Sequence, residues 1–181
     1  MYFLYHYYES ERKPFMNLSE LSFDNAKDIL EDLKNTNPAF FDLKEVGTDW
    51  FLNRRKYLEE KIRDLFIKKG GAPKSKVPHY MSLGESDYLK EWFINPSFVK
   101  IPIEEFNVDT LSFCYGDVFP TFSDSFDDGK EYRKQVYTFD EIKEIIKKYG
   151  YPQEWNKNGE NGPERYIEVH VWCNEVISDF K

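Results

Sequence analysis

The chain reads as an α+β fold, a mixed and largely antiparallel sheet with about four helices packed against it, in a single globular domain over residues 1–181. Three observations predict this. Apolar residues recur at helical spacing early, at Phe23, Ala26, Ile29, Leu30 and Leu33 and again at Phe51, Leu58, Ile62, Leu65 and Phe66. They alternate in the second half, in Leu111-Ser-Phe-Cys-Tyr115 and Tyr166-Ile-Glu-Val-His-Val-Trp172. Early helices followed by a run of strands favour antiparallel pairing over a wound parallel sheet.

Residues 2–8 open the chain as a strand, with Phe3, Tyr5 and Tyr7 alternating against Leu4, His6 and Tyr8. Ser22 caps the first helix, and Asn35-Thr-Asn-Pro38 ends it. A longer helix runs from Thr48 to Lys69, stopped by Gly70 in a left-handed cap. Pro78–Leu83 is a short strand, and Ser86 caps a brief helix through Trp92. Phe98–Ile103 is a strand whose Pro102 cannot donate to a ladder, so it belongs at a sheet edge or strand end. Leu111–Tyr115 is an inner strand, broken by Gly116-Asp117. Asp128-Gly129 carries a hairpin signature that would join an arm around 119–126 to a strand at 132–137. Thr138-Phe-Asp-Glu141 is a capping box that starts a helix ending at Gly150. After a polar loop at 156–163, the strand at 166–172 should lie inside the sheet, half-buried, with Ile167, Val169 and Val171 on its core face. Phe3, Ile29, Leu33, Leu58, Ile62, Phe66, Leu111, Phe113, Ile142 and Ile146 complete the expected core.

A net charge of −8 argues against general nucleic-acid binding, which needs a basic surface. Residues 54–76 nevertheless hold nine basic groups against three acids, a local balance of +6. Lys68, Lys69, Lys74 and Lys76 are therefore candidate contacts for an acidic protein or an anionic small molecule, unless they pair with neighbouring acids. No apolar run approaches a membrane span, the N-terminus lacks the pattern of a signal peptide, and Cys114 and Cys173 match no zinc or redox spacing. These features predict a cytoplasmic protein with reduced thiols and no membrane partner.

Pro78-His-Tyr-Met81, Ser112-Phe-Cys-Tyr-Gly-Asp117, Gln135-Val-Tyr-Thr-Phe-Asp-Glu141 and Tyr166-Ile-Glu-Val-His-Val-Trp172 resemble an uncharacterised family of Gram-positive bacteria. The resemblance spans nearly the whole chain. It implies a bacterial protein and no particular activity, so function has to come from the site.

The most suggestive pair is Glu168 and His170, a carboxylate and an imidazole two apart on one strand face. His6, His79 and His170 all fall in strand-like stretches, and a sheet could bring their rings together as a metal site, but no local metal spacing accompanies them and no metal is expected; His79 and His170 are candidate binding residues. Asp124–Gly129 lacks the oxygens of a calcium loop at Phe126 and Gln135. Cys114, between Phe113 and Tyr115, reads as packed, and Gly70-Gly71 ends a helix and so presents the wrong pole to a phosphate. The leading expectation is a small interaction or ligand-binding domain. The alternative is an enzyme, because the order His6, then Tyr80 or Ser112, then Glu168 is similar to that of ADP-ribosyltransferases. That similarity implies NAD as cofactor, with His6 on its adenosine ribose, Tyr80 stacked on nicotinamide and Glu168 stabilising the cationic ribose. Tyr166 replaces the second Glu of many members, and no Ser-Thr-Ser triplet follows the early His.

Overall fold

In the computed structural model, which describes residues 1–37, 45–126 and 128–181, five strands form one sheet. They are β1 (Phe3–Glu9), β2 (His79–Leu83), β3 (Pro96–Pro102), β4 (Leu111–Tyr115) and β5 (Ile167–Val171). Their spatial order is β3-β1-β2-β5-β4, and all four pairings are antiparallel. The last strand of the chain thus enters between β2 and β4 as an inner strand. β3 is an edge, which is where Pro102, with no N–H to give, can sit.

The four expected helices are α1 (Phe23–Thr36), α2 (Thr48–Lys68), α3 (Asp87–Lys90) and α5 (Phe139–Tyr149), joined by the single turns α4 (Val118–Thr121) and α6 (Pro152–Trp155). Their ends follow local chemistry. Ser22 Oγ accepts the Asn25 N–H at the start of α1, and the Pro38 stop lies outside the described residues. The Thr138–Glu141 capping box is complete on α5, and Gly150 at φ 77° closes it. Gly70, at φ 90°, follows α2 in the left-handed region.

Register fixes the two faces. Tyr5 stands opposite Ser82, Ser82 opposite Glu168, Tyr80 opposite His170, and Ser112 and Cys114 opposite His170 and Glu168. These side chains share one face, because opposed residues point the same way. α2 covers it, packing Leu58, Ile62 and Phe66 against Cys114, Val118, Phe122, Val136 and Trp172. The other face carries Leu4, Met81, Leu83, Leu111, Phe113, Ile167, Val169 and Val171, and Phe139, Ile142, Ile145, Ile146 and Tyr149 of α5 pack there.

The structure departs from the sequence expectations where packing at a distance decides, and Phe3 and Ile146, expected in the core, are only partly buried. The polar side of β5 is not half-buried: Glu168 is 4% exposed and His170 0%, because α2 lies over them. Ile29 and Leu33 are only partly buried, while α1 turns Ala26 and Leu30 towards Leu52 of α2. Lys34 reinforces that contact, its ammonium bonding Thr48 Oγ1 and the Val46 carbonyl. Residues 132–137 do not form a hairpin strand, since only Tyr137 bridges to Phe113. Lys134 adopts φ 57° there, and the buried Arg133 is held by both Asp128 and Glu164, so the segment curls into a turn instead of extending.

Candidate functional site

Between the α2 face of the sheet and the segments around it lies a cleft of about 730 Å³. That is within the range of small-molecule pockets, roughly 300–1,000 Å³. Its polar lining includes Arg55, Tyr80, Asp117, Arg165, Tyr166 and Glu168, together with His6, Asn17 and His79. Trp50, Phe51, Tyr88, Trp92 and Phe119 supply aromatic walls, and Trp50 is largely exposed at 57%.

Topology converges the acids. β4 and β5 run antiparallel with Tyr115 opposite Ile167, so the chain leaving β4 passes the start of β5. Gly116, at φ 109°, permits the sharp exit, and Asp117 Oδ1 then accepts the Phe119 N–H at 2.7 Å to begin α4. Tyr166 and Glu168, two apart, point to the same side. The Tyr166 hydroxyl lies 3.1 Å from Asp117 Oδ2 and 3.0 Å from Glu168 Oε2. A phenol has one proton to give. When Tyr166 donates to Glu168, Asp117 completes the geometry by carrying a proton of its own and donating it to the phenol oxygen. Burial, reinforced by the charge of Glu168, raises the Asp117 carboxyl to about 7. Burial also pushes the Tyr166 phenol well above its ordinary range, with Asp117 and Glu168 adding to the effect, so it stays protonated.

Glu168 is held from behind. His170 Nε2 is 2.8 Å from its Oε1, His170 Nδ1 is 3.1 Å from Ser112 Oγ, and the Trp172 indole N–H donates to Ser112 Oγ at 2.9 Å. One chain of donors satisfies every group: indole to serine oxygen, serine hydroxyl to Nδ1, and Nε2–H to carboxylate. Val118 N–H adds a bond to Oε1 at 3.3 Å. The serine and histidine are 0% exposed, so this Ser-His-Glu chain orients the carboxylate and offers no accessible nucleophile. Opposite it, Arg55 on α2 pairs with Glu59 at 3.0 Å and covers the Tyr80 ring at 4.5 Å, while Tyr80 donates its hydroxyl to Glu59 at 2.9 Å. Arg165 covers Tyr88 at 4.0 Å, with its Nε buried and unpartnered.

The structure brings together Glu168, Tyr80 and, beneath them, His170. His6 is not among them. Its strand position sets it on the face of Leu4, opposite Glu168, and both ring nitrogens are engaged by main chain: Nδ1 with the Tyr80 carbonyl at 3.0 Å and Nε2 with the Phe15 N–H at 2.8 Å. Burial lowers its pKa to about 4, so it is a neutral structural imidazole. The partnership of His6 with Glu168 that NAD handling requires is therefore not formed. His79 is on that same face, bonded to Asn174 at 3.1 Å and near Glu20 at 3.3 Å, so the three histidines do not converge. Among the described residues no three ligating side chains gather as a metal site. Cys114 is packed, its thiol pushed well above its usual range by burial and by Glu168. Of the exposed lysines, Lys69 pairs with Glu141 at 3.0 Å and Lys74 with Glu175 at 2.6 Å. No helix among the described residues is long and apolar enough to cross a membrane.

Sequence reading missed Asp117, Tyr166, Arg55 and Arg165 as site residues. The alternation that selected Glu168 also contains Tyr166 two places before it. Asp117 sits after a glycine, where it reads only as a strand break. The fold and site define an α+β domain with two carboxylates at the base of an aromatic cleft. Compared with protein-family models, curated proteins and solved structures, the chain matches none.

Proposed function

We propose that this protein binds a small polar molecule in the cleft beneath α2 and acts on it by acid–base chemistry, with Asp117 as the proton carrier and Glu168 as the fixed charge. The observation that carries this reading is the Tyr166 hydroxyl shared by both carboxylates. A buried carboxyl raised to about 7 beside a second carboxyl group in one cleft is placed to move a proton near neutral pH. The buried relay from Trp172 through Ser112 and His170 supports the same reading, since it fixes the orientation of Glu168 beside Asp117. The test is carboxyl-carbon NMR titration of Asp117. A midpoint near 7 that falls towards the ordinary carboxylate range in Glu168→Gln supports the reading, because the variant loses the neighbouring charge. An ordinary midpoint in the parent removes it.

The second reading is docking of an acidic protein or anion on the basic segment. Exposure of all four lysines favours it, and the ion pairs of Lys69 and Lys74 weaken it. Charge reversal at Lys68 and Lys76, followed by a low-salt pull-down, separates the two: unchanged retention of partners ends the docking reading. A cytoplasmic bacterial setting accords with either.

A further inference from the structure

Building on the acid–base reading of the cleft, we infer that its substrate is a sugar joined through a glycosidic bond, and that Asp117 and Glu168 hydrolyse that bond with retention of anomeric configuration. The charge inventory of the cleft narrows the ligand first. The guanidinium groups of Arg55 and Arg165 lie over Tyr80 and Tyr88 at 4.5 and 4.0 Å and set positive charge against a cationic ligand at those two faces. An anionic ligand would be set against Glu168. An uncharged ring rich in hydroxyls meets neither objection: its O–H groups donate to the carboxylates, its C–H faces lie on Trp50 and Trp92, and a ring or hydroxyl oxygen can accept from the unpartnered Arg165 Nε.

The spacing of the acids then selects the chemistry. Both bond the same phenol oxygen, so they stand no further apart than two hydrogen bonds. This matches the close carboxylate pair of retaining glycosidases, roughly 5–5.5 Å, better than the wider pair, roughly 6.5–9.5 Å, that admits a water between acid and base. In the first step the Asp117 proton passes to the glycosidic atom as its bond to the anomeric carbon breaks, and that atom departs with the bonding electrons. Positive charge develops on the sugar and is held by the Glu168 carboxylate, whose orientation His170, Val118 and Tyr166 fix. Water then enters from the Asp117 side, bonds the anomeric carbon and returns a proton to Asp117. The products are the free sugar and the protonated leaving group, and water is the only co-reactant.

The experiment incubates the full chain with a panel of para-nitrophenyl pyranosides and furanosides and of nucleosides at millimolar concentration. Nitrophenol is followed by absorbance, free base by chromatography, and anomeric configuration by proton NMR. Hydrolysis of a nitrophenyl member assigns an O-glycoside, and of a nucleoside an N-glycoside, each with retention. Glu168→Gln should lose at least about 100-fold on either. Asp117→Asn should lose about 100-fold or more on a nitrophenyl sugar but less than about 10-fold on its dinitrophenyl counterpart, whose leaving group needs no proton. Equal losses on both, inversion, or no turnover and no binding of any sugar overturns the proposal. Calorimetry with agmatine as a cationic probe separates the two levels: agmatine bound while sugars are not overturns the glycoside assignment and leaves the acid–base cleft standing.

Discussion

Asp117→Asn should make the protein more stable in alkaline solution and leave it nearly unchanged in acid. The carboxyl rises from 3.8 to about 7 in the fold, through burial and the charge of Glu168. The folded state therefore binds the Asp117 proton more tightly than the unfolded chain does. No penalty exists below about pH 4, where both states are protonated. It grows as pH climbs towards 7 and is complete above that. At about 1.36 kcal/mol per unit, the penalty reaches about 4 kcal/mol. Asp117 keeps partial contact with solvent, and screening trims this to about 2–3 kcal/mol. Asparagine keeps the other contacts, since its amide oxygen can still accept the Phe119 N–H and its amine can donate to the Tyr166 oxygen. Urea denaturation of parent and variant at pH 5, 6, 7 and 8 measures the difference. A gap that opens with pH in favour of the variant supports the placement of Asp117. A gap independent of pH, or a variant weaker at pH 8, refutes it.

Ser112→Ala should cost about 1–3 kcal/mol in the same assay, because it leaves the buried Trp172 N–H and His170 Nδ1 without their shared partner; parental stability would show that the relay is not formed. His6 should titrate with a midpoint near 4 by imidazole NMR. As a histidine whose pKa is depressed from 6.5, it withdraws stability as pH falls from about 6.5 through about 4, where a protonated Nε2 can no longer accept the Phe15 N–H. A midpoint near 6.5 would contradict its burial.

The parts of the fold that were legible are those whose signal is local. The capping box at Thr138, the glycine stop at Gly150 and the alternation of β5 each involve a few consecutive residues, and each is present as read. The hairpin at Asp128-Gly129 was misread because its fate is set at a distance: Glu164 holds Arg133, and Thr121 accepts the Lys134 N–H at 3.0 Å, which bends a segment that composition alone would extend. The burial of Glu168 and His170 was illegible for the same reason. Alternation shows that two faces differ, not which of them meets solvent, and α2 settles that from more than 100 residues earlier in the chain.

The candidate site lies at the boundary between these two kinds of information. Glu168 and Tyr80 could be named from strand patterns, yet each becomes chemically interesting only through a neighbour supplied by topology. Tyr80 gains Arg55 and Glu59 from α2, and Glu168 gains Asp117 because β4 ends beside the start of β5. Apolar packing alone would favour a neutral residue at position 117, and a backbone cap could be provided by asparagine without the burden of a buried charge. The network around Glu168 is satisfied on every oxygen, so the acid at 117 adds nothing that Glu168 needs to stay in place. What it adds is an exchangeable proton held near neutrality at the wall of an aromatic cleft. A group retained there against the stability of the fold supports the proposed proton transfer, and the Asp117→Asn measurement puts its placement at risk.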